Sequence, residues 1–310
     1  MNPAIPTPSS PHPDGPATHD LPPGLRIALV GHGRVAQALA EALARAGHPV
    51  AALGSRRAPA PGLCTPQQAV DGADLVLLTV PDDAIAATCA ALRWRPDQAV
   101  VHCSGATEVD ALEAAARAGA RTGGFHPLQI FSDPAGAARR LAGSTVAVEA
   151  GEALRPWLLG LAARLGLHAI ELPPGSRARY HAAAGYAASF LLPVLQEALD
   201  LWASFGVAPG PALQALLPLA RGTLDAVAAR GPAGALSGPI ARGDAGVVRR
   251  HLAALETMGS GHAAFYRTLA RPQLDLAVAA GRLQEGADLH VQLQNLLAEA
   301  PPSGEFRHNR

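Results

Sequence analysis

The chain has 310 residues, 25 basic and 25 acidic side chains and no net charge, with 49% apolar and 16% charged residues. That composition excludes a chain disordered throughout, and the length suits two domains better than one. Balanced charge argues against a general nucleic-acid binder, and with every basic residue an arginine no lysine Schiff base, lysine acid or phosphate-loop lysine is possible.

Residues 1–23 are rich in proline and lack the basic start and apolar run of a secretory signal, so a disordered leader is expected. Apolar runs then predict strands over Leu25–Val30, Val50–Gly54, Ala73–Val80, Ala99–His102, Arg121–Phe125, Ser144–Glu149 and His168–Leu172. Helical spacing predicts helices over Arg34–Ala46, stopped by Gly47, and over Glu108–Arg117 and Ala153–Leu165. Asp82 and Asp83 sit where a helix begins. Strands apolar on both faces, alternating with helices, imply a parallel sheet covered on both sides. The fold class expected for residues 24–172 is therefore a doubly wound α/β domain.

After Pro173-Pro174 the strand signals stop. Ser176–Phe205 reads as one long helix, apolar nearly all round, hence buried in a bundle or a subunit interface. Further helices are expected over Pro211–Arg230, Ala245–Met258, Gly261–Ala280 and Ala287–Ala298. Residues 173–300 thus form an all-α domain, with a frayed tail over 301–310. The longest apolar stretch, Ala182–Gln196, is broken by Pro193 and followed by Glu197 and Asp200, too short and interrupted for a bilayer. The cytoplasm is the expected location, with no membrane partner. Cys64, Cys89 and Cys103 are odd in number and far apart, which argues against disulfides and structural zinc. The histidines form no HxH or HExxH pattern, so no metal site is expected.

Gly31-His32-Gly33-Arg34-Val35-Ala36 is GxGxxA between a predicted strand and a predicted helix. In that context it is a dinucleotide fingerprint. Gly31 permits the tight turn, Gly33 lets backbone approach a pyrophosphate, and Ala36 lets helix and strand pack closely. The helix N-terminus over His32, Arg34 and Val35 offers amide donors to the phosphates. A tight turn that binds nothing is the alternative. An NAD site wants an acid roughly 20 residues past the glycines. Here that place reads Gly54-Ser55-Arg56-Arg57. A hydroxyl and two guanidinium groups suit a 2′-phosphate, so NADP(H) is the expected cofactor. Ordinary solvated arginines are the alternative. Val80 and Pro81 close the third strand and are expected to flank the adenosine half.

Two later strands run into His102-Cys103-Ser104-Gly105-Ala106 and Phe125-His126-Pro127-Leu128-Gln129. Ligands of open parallel sheets bind beyond such strand ends. Ser104 is a candidate to bond a substrate carbonyl or the nicotinamide amide, or else a helix cap. His126 is a candidate proton exchanger, or else a structural histidine. His181, Gly185 and Ser189 follow at helical spacing and make a small polar strip, with His181 a second proton-exchange candidate and Gly185 and Ser189 facing substrate. Arg242 either pairs with an acid or clamps a substrate carboxylate. Asp244 is placed to cap the next helix.

Together the fingerprint, HCSGA at 102–106, FHPLQ at 125–129, YHAAAGYAAS at 180–189 and SGPIARGD at 237–244 resemble a family that joins a Rossmann-like domain to a C-terminal domain of unknown function. That second domain is similar to the C-terminal domains of 6-phosphogluconate dehydrogenase relatives. The resemblance spans residues 25 to 295. It implies NADP oxidoreductase activity and a homodimer formed through the C-terminal helices. In the related β-hydroxyacid dehydrogenases a Lys and an Asn on the first long helix carry catalysis; this helix has neither. A His-Pro-Met segment supplies a catalytic histidine in prephenate dehydrogenases, and His126-Pro127-Leu128 is similar. The expectation is an NADP(H)-dependent oxidoreductase for a small polar metabolite. An inactive NADP(H)-binding sensor or scaffold is the alternative.

Overall fold

The computed structural model describes residues 21–58 and 60–298. The proline-rich leader through residue 20 and the tail from residue 301 lie outside the described residues. The elements run β1 Ile27–Val30, α1 Arg34–Arg45, β2 Ala52–Gly54, α2 Pro66–Asp71, β3 Leu75–Leu78, α3 Ile85–Ala90, β4 Ala99–His102, α4 Glu113–Arg117 and β5 Arg121–Leu128. They continue α5 Pro134–Arg140, β6 Thr145–Ala150, α6 Arg155–Arg164, β7 His168–Glu171, α7 Arg177–Ala187 and α8 Leu191–Ser204. The last are α9 Pro209–Ala235, α10 Ala245–Glu256, α11 Ser260–Ala279 and α12 Asp288–Ala298. The chain divides between Phe190 and Leu191 into two compact units.

The first unit is a sheet of seven strands in the order β2-β1-β3-β4-β5-β6-β7. Its inner strands are buried on both faces because alternate residues enter opposite layers. Leu29, Leu77 and Val101 pack with Leu39 of α1 and Leu158 of α6. Val30, Val76 and Val100 pack on the other side with Ile85 of α3 and Leu112. Leu21 already belongs to the first of these cores.

The sheet corrects one expectation. β2 through β5 run parallel, but β6 pairs antiparallel with β5, and β7 follows β6. Apolar patterning marks a buried strand but carries no sign for its direction. β5 is also longer than expected, so that His126 and Pro127 lie within it, opposite Ala147 and Val146. The helix expected over 108–117 is a 3-10 turn, Val109–Leu112, leading into α4.

The single helix expected over 176–205 is two. α7 stops at Ala187, and 188–190 form a turn before α8. Pro193 explains the break: a continuous helix would drive its ring into the Ser189 carbonyl, whereas the first turn of a new helix tolerates it. The expected burial of this stretch is also corrected within the chain. α8 has no buried residue, and Leu192 is 67% exposed. Taken across both helices, Arg177–Ser204 is long and apolar enough by length and composition to cross a membrane, with mean hydropathy 1.2 and none of its most apolar window buried.

The second unit comprises α8 to α12. Its core is Val248 and Leu252 of α10, Ala270 and Leu274 of α11, and Leu293 and Leu297 of α12. α9 is kinked at Gly231, whose φ is 69°.

Candidate functional site

The chain leaves β1 at Val30 and turns at Gly31, with φ of 125°. A Cβ there would stand 2.6 Å from Thr79 Oγ1 and 2.7 Å from the Thr79 carbonyl oxygen. Thr79 is fixed in place, since its amide and hydroxyl both donate to the Val30 carbonyl, at 2.8 and 3.1 Å. Only glycine fits at such a conformation and approach. Gly33 is the N-cap of α1 and has no side chain to occupy the helix amides. A Cβ at Gly33 would meet nothing within 4 Å. The space in front is a cleft of ≈ 480 Å³, lined by Gly33, Arg34, Val35, Val80, Pro81 and Phe131 among others. Cys103 lines it from the end of β4. Ala36 is fully buried, which lets α1 lie close to the sheet. His32 Nδ1 is buried without a hydrogen-bond partner among the described residues.

At the end of β2 the Ser55 amide donates to the Cys64 carbonyl at 2.9 Å. The Ser55 hydroxyl accepts from the Arg57 amide at 3.1 Å. The tight turn leaves Arg56 and Arg57 exposed, and neither pairs with an acid among the described residues. Two unengaged guanidinium groups at this position are suited to a phosphate.

A second cluster lies beyond β4 and along β5. His126 Nδ1 is 2.8 Å from the Tyr180 hydroxyl. The His126 ring meets Tyr180 edge-on, with centroids 5.6 Å apart, and His181 likewise at 5.9 Å. Tyr180 and His181 are neighbours on α7, so consecutive side chains of one helix embrace one imidazole. Gly105 faces the same place. A Cβ on it would overlap His181 Nδ1 and come within 3.0 Å of His126 Nε2. The Ser104 hydroxyl donates to Thr107 Oγ1 at 2.9 Å and accepts from the amides of Ala106 and Thr107 at 3.2 and 3.0 Å. It thereby shapes the loop that presents Gly105.

Arg177, at the start of α7, is fully buried. Its Nε donates to Glu149 Oε2 of β6 at 2.5 Å, and its Nη1 donates to the Ser104 carbonyl at 2.9 Å. The guanidinium occupies the room a side chain at Gly124 would need. Glu108 accepts from the amides of Gly175 and Arg177 at 3.1 and 3.2 Å, which holds the start of α7. The loop after β4, strand β6 and helix α7 are thus joined at one cation.

Burial sets the protonation states here. It lowers the His126 pKa to about 4, helped by His181 and Arg177. His102, fully buried on β4, is likewise lowered to about 4 by burial and then Arg177. Burial pushes the Cys103 thiol and the Tyr180 phenol up to about 12 each. At neutral pH these groups are uncharged. Cys103 is therefore no thiolate nucleophile, and His126 is a neutral imidazole that can donate one hydrogen bond and accept another.

The other expected residues fall as follows. Gly185 stands one turn beyond His181 on α7, and a Cβ there would meet nothing within 4 Å. Ser189 is corrected: it lies in the turn after α7, not on the His181 face. Arg242 is exposed in the second unit, at the end of a 3-10 turn. Asp244 caps α10, accepting from the Val247 amide at 2.9 Å. Sequence reading passed over Thr79, Gly105, Phe131, Arg177 and Tyr180. Tyr180 carried one signal, adjacency to His181. Arg177 carried none that distinguished it from a solvated arginine.

A mostly parallel sheet with a glycine turn at an open helix N-terminus, followed by a helical region, defines a Rossmann-type protein. Residues 12–127 match the family described as a Rossmann-like domain, and residues 144–273 match a domain of unknown function, DUF2520. The chain carries these two domains in tandem. None of the curated proteins matches it. Among solved structures it is similar to BF3122 from Bacteroides fragilis, described as a candidate NADP oxidoreductase, with 21% identity, TM-score 0.62, and 84% of this chain and 100% of that one covered. Protein TM1727 from Thermotoga maritima is 20% identical, with TM-score 0.64 and coverage of 82% and 98%. A reductive aminase from Aspergillus terreus, in complex with NADPH and ethyl-5-oxohexanoate, is 18% identical, with TM-score 0.56 and coverage of 87% and 99%.

Proposed function

We propose that the protein is an NADP(H)-dependent oxidoreductase acting on a small polar metabolite at a carbonyl, imine or carbinol carbon. The observation that carries this is the open N-cap at Gly33, fronting the ≈ 480 Å³ cleft, with Arg56 and Arg57 unengaged at the neighbouring strand end. The residues fit the cofactor. Gly31, His32, Gly33, Arg34 and Val35 would hold the pyrophosphate, Ser55, Arg56 and Arg57 the 2′-phosphate, and Val80 and Pro81 the adenosine. NADPH in the similar reductive aminase supports the same cofactor class. Bound NADP(H) supplies or accepts a hydride.

The chain's own residues do the rest. His126 or His181 exchanges the matching proton, and Ser104 holds the loop against both imidazoles. Gly185, one turn beyond His181 on α7, belongs to the substrate side of this reading. The protein would be a cytoplasmic homodimer, its exposed apolar faces on α8 and α9 pairing with a second copy. A binding module without chemistry is the competing reading, favoured by the absence of Lys and Asn from α7 and α8.

Thermal unfolding tests the cofactor. NADP(H) should raise the midpoint more than NAD(H), because a ligand bound only to the folded state stabilises it. Arg56→Ala with Arg57→Ala should erase the difference. Equal or absent stabilisation by the two nucleotides overturns the proposal. Once turnover is found, His126→Ala and His181→Ala should reduce it; unchanged turnover in both and in the double variant removes the proton role.

A further inference from the structure

We propose that Tyr180 is a positioning residue that locks His126 in a single tautomer, with Nδ1 accepting from the phenol and the ring proton on Nε2. The backbone of His126 is fixed by strand pairing, opposite Ala147 of β6, and its ring is held edge-on to Tyr180 and His181, so its tautomer is the remaining variable. Tyr180 comes from α7, whose start is anchored by the buried Arg177 and by Glu108. The 2.8 Å contact at Nδ1 can be made in two ways, phenol to imidazole or imidazole to phenol. A phenol is the stronger acid and a neutral imidazole nitrogen the better acceptor, so the first is favoured. Both groups stay uncharged at neutral pH, since burial raises the phenol and lowers the imidazole. The phenol has no other hydrogen-bond partner among the described residues.

The consequence lies on the other edge of the ring. Nε2 faces Gly105 and the side of His181, where glycine leaves no side chain to block it. With the proton fixed there, His126 presents a neutral N–H donor in that direction. Such a donor matches an oxygen that gains negative charge better than it matches a cationic iminium. Of the nearby carboxylates, Glu149 is already paired with Arg177, and the weaker pull of Asp82 on His126 is outweighed by burial, His181 and Arg177. The inference rests on the oxidoreductase reading only for this catalytic consequence; the tautomer is measured without turnover.

Histidine-selective ¹⁵N labelling with long-range proton–nitrogen correlation at pH 7.5 reads the tautomer directly. His126→Gln assigns the signals by their loss. In the native protein Nδ1 should resonate as a bare ring nitrogen and Nε2 as a protonated one. In Tyr180→Phe both should move toward tautomer-averaged positions. Uniform 3-fluorotyrosine keeps the fold and acidifies the phenol, so Nδ1 should shift toward the protonated position. A reversed or averaged native pattern overturns the proposal, as does a pattern indifferent to both changes. Loss of the NADP(H) response in the thermal assay overturns the function reading alone, and the tautomer stands or falls independently.

Discussion

Gly31 and Gly33 are two residues apart yet serve different ends. Gly31→Ala places a Cβ against Thr79 at a φ of 125°, so it should destabilise the fold by about 2 kcal/mol or more in urea titrations. A Cβ at Gly33 meets no protein atom within 4 Å, so Gly33→Val should cost only the poorer helix cap, about 1 kcal/mol, while abolishing the NADP(H) thermal shift. A Gly33→Val protein that still responds fully to NADP(H) would move the phosphates elsewhere. The buried histidines make a pH prediction. His102 titrates at about 4 in the folded protein, against about 6.5 unfolded. Its folded pKa is depressed, so between these values the unfolded chain holds more protons and stability falls as pH drops. Full stability from this group is present above pH ~6.5, and the loss reaches about 3 kcal/mol by pH ~4. His126 adds to it in the same window. Urea midpoints at pH 7.5 and 5 should therefore differ, and His102→Leu should narrow the gap; an unchanged gap places the proton uptake on other groups.

At the scale of elements, Arg177 binds α7 to the sheet. Arg177→Ala leaves Glu149 largely buried without its partner and should cost about 3–5 kcal/mol. Replacing both residues by Met should recover much of that loss, because it removes the stranded charge as well as the ion pair. A double-mutant cycle with zero coupling would refute the account. The same elements separate what the residues reveal from what they conceal. Seven strands and the long helices were readable, because each carries an apolar pattern of the right period. The six-residue helices α2 and α3 are too short to display a period, and only the start of α3 was announced, by Asp82 and Asp83. α2 did carry a local signal: Thr65 and Gln68 form a reciprocal cap, with the Thr65 amide donating to Gln68 Oε1 at 2.9 Å. The reversal of β6 left no trace, since strand direction is decided by the tertiary path. The break after Ala187 was legible in Pro193 and was read there only as an interruption.

For the whole molecule, the prominent fact is apolar surface left uncovered among the described residues. Leu192 of α8 and Leu219 of α9 are 67% and 70% exposed, more than single scattered residues account for. If a second copy covers them, Leu192→Glu together with Leu219→Glu should convert a dimer to a monomer in light scattering, without loss of helix content. A native protein that is monomeric, or that requires detergent to stay in solution, would contradict the dimer. The nucleotide loop and His126 and His181 were visible as motifs, whereas Tyr180 and Arg177 became site residues only through contacts made across many intervening residues. The reversed strand has a practical side too. Because β6 runs against β5, the chain leaves Ala150, opposite Gly123, heading away from the edge at which β1, β3 and β4 end on the cleft. The exposed residues that follow, Gly151 to Ala153, emerge on the far rim. A peptide tag or immobilisation handle inserted there would leave the ligand side unobstructed, giving a surface-tethered form of the protein for binding screens.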